Sequence, residues 1–335
     1  MCEKRHIPVI IICAALMIIA LIFSLGLGRA FTIGDLFRYV SDGKTVENSY
    51  IGVALFNIRI PRILAAVCIG MSLATAGVSY QGLFQNPMVS PDILGASAGA
   101  SVGAAIAILL GLNVIGIQIL SFLCGIGAVA LTYVVSLSVG GKHKSVLVLV
   151  LAGMVTGSLF NAFISITKYL ADTEDKLPTI TFWLMGSLSS VTMKDTILLY
   201  TLFFAAAIPL FLFRWKLNVM ACGEEEAQTL GINTRRLQVT VIVCSTLLSA
   251  ASVSVAGMIG WVGLAVPHIA RMLVGPNYKV LLPVSALIGG IFLLVVDDLA
   301  RSLVSAEIPL GILTSLCGAP FFLYLLLRGK QTWIA

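Results

Sequence analysis

Uncharged apolar stretches occupy most of this chain. Residues 7–28, 63–81, 93–139, 146–167, 196–213, 237–267, 280–296 and 308–327 contain no Asp, Glu, Lys or Arg. About 20 apolar residues at 1.5 Å rise cross a hydrocarbon core of about 30 Å. Stretches near that length predict one helix each, and the longer ones predict two. The expected spans are 7–28, 60–81, 92–111, 114–139, 145–168, 192–213, 236–256, 259–276, 280–300 and 308–328, about ten in all. The runs lack the strict alternation of barrel strands, so the fold class is all-α, a polytopic membrane protein.

Composition narrows the function classes. Hydrophobic residues make up 59% and charged residues 11% of the chain, and mean hydropathy is +1.04. Soluble domains carry about 25% charged residues, so a soluble enzyme is excluded. The runs extend throughout, so residues 1–335 read as a single transmembrane domain, and the first run reads as an uncleaved span. The net charge of +6 is spread over loops, which suits a membrane surface and not nucleic acid. The seven cysteines form no C-x-x-C pair, and the three histidines are isolated from one another. No catalytic residue, metal site or cofactor site is expected.

Glycine is abundant. Gly95, Gly99 and Gly103 repeat every four residues, spacing that lets helix backbones approach in lipid. Gly77–Pro87 and Gly257–Pro267 both lead through Gly-Leu to Pro, in segments of opposite expected direction. That predicts an inverted-topology repeat.

Charged and polar clusters break the apolar pattern at four places. Arg59-Ile-Pro-Arg62 opens the second span, with Pro61 suited to a first helical turn. Gln81–Gly95 holds Asn86, Pro87, Pro91 and Asp92 in a tight turn between spans. Cys222–Asn233 holds three glutamates and Ala227, Leu230 and Gly231 in the largest inner loop, which predicts a short helix closed by glycine. Asp297, Asp298 and Arg301 lie one helical turn apart, where ion pairs soften the cost of charge near lipid. Arginine suits carboxylate partners. Arg59, Arg62 and Arg301, all on one membrane face, therefore suggest an acidic partner there. No G-x-x-x-x-G-K-[ST] segment is present, so the chain itself carries no P-loop for ATP.

These motifs in this order, R-I-P-R, G-V-S-Y-Q-G-L-F-Q-N-P-M-V-S-P-D-I-L-G, E-E-A-Q-T-L-G-I, G-W-V-G-L-A-V-P-H-I-A-R, D-D-L-A-R and E-I-P-L-G, closely resemble the FecCD-type permeases. Those are the membrane subunits of ABC importers for iron–siderophore complexes, haem and vitamin B12. The resemblance implies the type II ABC importer permease architecture in a bacterial cytoplasmic membrane. It implies a homodimer with two ATPase subunits, which bind the ATP and magnesium, and an external substrate-binding protein. Arg59, Arg62 and Arg301 would meet that binding protein. The segment 219–232 would couple to the ATPase, through Gly223, Glu225, Glu226, Ala227, Leu230 and Gly231. Ser145 and Val146 would form the inner gate. An iron complex, ferric siderophore or haem, is the expected cargo, with vitamin B12 or an oxyanion as the family's alternatives. The competing class is a secondary transporter driven by an ion gradient through Asp297 or Asp298.

The positive-inside rule places both termini, Lys142–Lys144 and Glu224–Glu226 in the cytoplasm. An impermeant thiol reagent applied to whole cells should therefore label a single cysteine at Asp172, on the outer side. It should spare Glu225→Cys until the membrane is opened; labelling of Glu225→Cys in intact cells would reverse the orientation.

Overall fold

The computed structural model describes residues 7–27, 34, 50–139, 146–304 and 306–329. Among these residues the fold is helical throughout, without strands. The helices are α1 (Ile7–Gly26), α2 (Ile60–Leu83), α3 (Ala96–Leu109), α4 (Val114–Val139), α5 (Val146–Leu170), α6 (Lys176–Met185) and α7 (Met193–Leu212). They continue as α8 (Arg214–Met220), α9 (Glu224–Thr229), α10 (Thr234–Ala256), α11 (Val262–Val274), α12 (Tyr278–Ser302) and α13 (Leu310–Gly329). Wider turns over Ala54–Arg59 run directly into α2. Each of the ten expected spans is occupied by one helix.

α2 is the axis of the bundle. It packs against α7, α10, α11 and α12 and is buried along nearly its whole length. Its sequence explains this. Apolar and small residues occupy every face, so no side is committed to lipid. Helices gain no hydrophobic free energy by leaving lipid for one another, so close contact has to hold them. Gly70 lies against the backbone of Gly289 in α12, and Gly77 against that of Gly263 in α11. By contrast α1, α4 and α5 bury only narrow stripes and expose long apolar faces.

Two helices are shorter than expected. α3 has 14 residues and α11 has 13, about 20 Å each and too short to cross a hydrocarbon core. α3 follows a 3-10 turn over Pro91–Leu94. α11 follows a non-helical stretch, Gly257–Trp261. The starts of the two helices meet, because Pro91 packs onto Gly263. Gly257 takes φ 72° and abuts Gly186, which takes φ 77°. The Ser187 N–H donates to the Ala256 carbonyl at 2.8 Å, and the Leu310 N–H to the Gly186 carbonyl at 2.9 Å. The break in the α10–α11 span is thus tied to the end of α6 and the start of α13.

Two expectations change here. The matched segments are not folded alike: 77–83 continues α2, whereas 257–260 is non-helical. The short match therefore does not mark equivalent structure. α6 is an addition, because its ten residues fall below the length that signals a span. Its tip, Trp183, packs into a satellite apolar cluster with Met258.

The glycine contacts yield a paired test. Gly70→Ala should lower stability in detergent by about 1–3 kcal/mol, because the added methyl meets backbone. Gly127→Ala, where nothing lies within 4 Å, should leave the thermal transition unchanged or raise it slightly.

Candidate functional site

One end of the bundle is closed by a buried charge network. Arg62, in the first turn of α2, donates from Nε to Asp297 Oδ1 and Oδ2, both at 3.0 Å, and from Nη2 to Oδ1 at 2.9 Å. Its Nη1 donates to Glu307 Oε1 at 2.7 Å. Arg301 pairs with Asp298 one turn away, and its Nε lies 3.8 Å from Asp297 Oδ2. Ser24, at the end of α1, donates to Asp298 Oδ1 at 2.7 Å and accepts from Arg301 Nη2 at 2.7 Å. Arg59 donates to the Leu25 carbonyl at 2.6 Å. The network joins α1, α2, α12 and the segment before α13. An isolated charge there would be costly, but paired and multiply hydrogen-bonded groups tolerate burial.

The sequence places Arg59, Arg62 and Arg301 at one end, and the structure brings them together. Their orientation differs from a docking surface. The Arg62 and Arg301 side chains are 7% and 9% exposed and point at this chain's own carboxylates. Arg59 is buried as well. Glu307, at 43%, is the member that reaches the surface. Asp297 and Asp298, the residues a proton-driven mechanism would need, are both held in ion pairs.

At the opposite end sits α9. Its base is fixed to the core. Asn218 of α8 donates to Asn277 Oδ1 at 2.9 Å, and the Tyr278 N–H donates to Asn218 Oδ1 at 2.7 Å. Gln85, just beyond α2, donates to the Met220 carbonyl at 3.0 Å. Arg271 of α11 donates to Gln81 of α2 at 2.9 Å. Gly223 and Gly231 bracket α9 with φ of 144° and 77°. Glu225, Glu226 and Leu230 face outward, whereas Ala227 is fully buried within the chain. A bulky residue at 227 would therefore damage internal packing, so that position cannot report a partner by itself. Ser145 lies outside the described residues, and Val146 is the first residue of α5.

Between the ends lies a feature the motifs did not single out. A cavity of about 550 Å³ is lined by Asp92, Ser97, Met185, Met258 and Gly260, with Ser315 of α13. Ser97 donates to the Asp92 carboxylate. Non-helical backbone at membrane depth persists where it lines a cavity, and Met258–Gly260 fits that rule. Asp92 and the glycines around 257 were visible in sequence, but their meeting across 160-odd residues of chain was not.

Residues 16–328 match the FecCD transport family. This chain belongs to the FecCD transport family. It is 40% identical over 320 residues to the molybdate import system permease protein MolB of Haemophilus influenzae, covering 94% of each chain. It is 36% identical over 320 residues to the hemin transport system permease protein HmuU of Yersinia pestis, covering 94% of this chain and 95% of that one. A solved structure of the metal-chelate type of ABC transporter, in an inward-facing conformation, superposes with a TM-score of 0.87 at 38% identity. The match covers 96% of this chain and 99% of that one. The architecture is that of a type II ABC importer permease.

The buried network makes a stability prediction. Asp297→Ala should cost about 3–5 kcal/mol, because it strips Arg62 of its main counter-charge. Joint replacement, Arg62→Met with Asp297→Leu, should recover much of that loss. The unfolding midpoint of the purified protein, followed by intrinsic fluorescence, distinguishes the two.

Proposed function

We propose that this chain is the permease subunit of an ATP-driven importer for an iron complex, a ferric siderophore or haem. It works as a homodimer with two ATPase subunits on the α9 side and a binding protein on the Arg62 side. It spans the cytoplasmic membrane with both termini inside.

The observation that carries the coupling is the seating of α9. A short acidic helix with an outward face stands on a base hydrogen-bonded to the ends of α2 and α12. A partner that pushes on α9 therefore moves the central helix and not a slack loop. ATP bound elsewhere can favour one permease state only through such differential contact. The docking role read for Arg59, Arg62 and Arg301 is retained as an indirect one. Arg62 holds Glu307, Arg301 and Arg59 brace the same end through Asp298 and the end of α1, and the binding protein meets the rim at Glu307. Ser145 and Val146 remain the candidates for the inner gate.

The cargo reading rests on the cavity. Among the described residues its lining is apolar and hydroxylic apart from Asp92, with no cation to offset that carboxylate. A free oxyanion such as molybdate would meet like charge there. A bulky neutral or cationic chelate would not. The cavity is open, and a second copy would close it against α6 and α13.

The test uses proteoliposomes containing the permease, its ATPase and its binding protein. Leu230 is 64% exposed, so Leu230→Asp combined with Glu225→Lys should leave folding intact. That double variant should weaken ATPase retention about thirtyfold, the scale of one interface hot spot, and stop uptake. Wild-type vesicles should accumulate radiolabelled ferric siderophore or haem on ATP hydrolysis. Accumulation of molybdate alone would overturn the cargo while leaving the permease reading. Uptake driven by a proton or sodium gradient without the ATPase would overturn both.

A further inference from the structure

We propose that the face between α4, α8 and α10 binds one anionic glycerophospholipid, with its phosphate in a basic cradle and an acyl chain in the apolar groove above it.

The cradle is a cavity of about 870 Å³ bounded by α8, the start of α10 and the turn Leu230–Asn233 that follows α9, so it adjoins the proposed ATPase contact at Leu230. Lys216, Arg235 and Arg236 line it, and among the described residues no carboxylate does. Among the described residues none of the three forms an ion pair with Asp or Glu. Lys216 Nζ sits 4.4 Å from the centre of the Phe213 ring, which fixes the ammonium at the cavity wall. Trp215, half exposed, lies beside it. Tryptophan next to clustered basic residues at a helix end is the side-chain chemistry of a membrane–water boundary.

A second groove begins where the cradle stops. It measures about 230 Å³ and runs between Val129 and Tyr133 of α4 and Val239, Val243 and Leu247 of α10. Val239 lines both spaces. Arg236, Val239, Val243 and Leu247 advance by three or four residues, so they form one stripe along α10. That stripe changes from cation to hydrocarbon over about 16 Å, the order in which a phospholipid changes from phosphate to acyl chain. Val239 and Val243 are exposed, so none of the described residues fills the groove.

Charge complementarity selects the occupant. Three cations in a lining that holds no carboxylate among the described residues favour a phosphate carrying net negative charge over a zwitterionic headgroup. The adjoining groove favours a phosphate that carries a hydrocarbon tail over a soluble anion. Neither argument depends on the cargo.

The full-length permease, delipidated in detergent, would be titrated with phosphatidylglycerol and with phosphatidylcholine, and retained lipid counted by native mass spectrometry. Phosphatidylglycerol should bind at one site per chain in preference to phosphatidylcholine. Arg235→Gln with Arg236→Gln should weaken it about thirtyfold, at roughly fivefold per surface cation, and Lys216→Gln about fivefold. Val243→Trp, which leaves every cation in place, should weaken it too by filling the groove. The unfolding midpoint of each variant confirms folding. Equal retention by wild type and all variants would overturn the proposal. So would equal binding of the two lipids. Competition by inorganic phosphate together with an unaffected Val243→Trp would make this an anion site and not a lipid site. Loss of ATPase retention by the Arg235/Arg236 variant in lipid-free detergent, with lipid binding unchanged, would assign the cradle to the protein partner and likewise overturn the proposal.

Discussion

Lipid is as apolar as leucine, so burying a helix in this bundle earns no hydrophobic free energy, and close contact along α2 supplies the cohesion instead. Glycines at 70 and 77 bring α2 into backbone contact with α12 and α11, where dispersion and weak polar contacts act at short range. The polar ties then fall at the two ends of the same helix. Arg62 holds one end, and Gln81 with Arg271 the other. The outer helices α1, α4 and α5 can face lipid because the inner ones are fixed without them.

This arrangement gives the two ends different mechanical characters. The Arg62 end is cross-linked by charge among four segments. Breaking it would expose several desolvated groups together, so it behaves as one rigid cap. The middle is less regular, with two short helices starting side by side and a non-helical stretch leading into α11. Discontinuous helices meeting at mid-membrane are a recurring way to line a path with backbone and polar groups. The α9 end is fixed differently, through hydrogen bonds linking α8 to the ends of α2 and α12.

The polar clusters were legible as residues and less so as geometry. Arg59, Arg62 and Arg301 stood out because charge at a span end is rare, yet sequence alone pointed them at an external partner. The structure turns them inward because Asp297, Asp298 and Glu307 lie within reach, and the desolvated environment rewards pairing at short range. Ala227 shows the same limit. Its small side chain suits a tight interface, but the interface it serves is inside the chain. The cavity around Asp92 was not legible, since it is assembled from four separated segments.

Sequence by itself determined where the ten apolar helices fall, the all-helical class and the positions of the charged interruptions, because the bilayer selects long apolar helices and forbids unpaired backbone. It also identified the family, since several motifs in fixed order are a local property of the chain. Only the tertiary structure decided that α3 and α11 stop short, that α6 folds against the break at Gly257, and which charges pair. Those outcomes depend on contacts between residues far apart in the chain. Apolar periodicity sees only which residues avoid water, and within a membrane protein nearly all of them do.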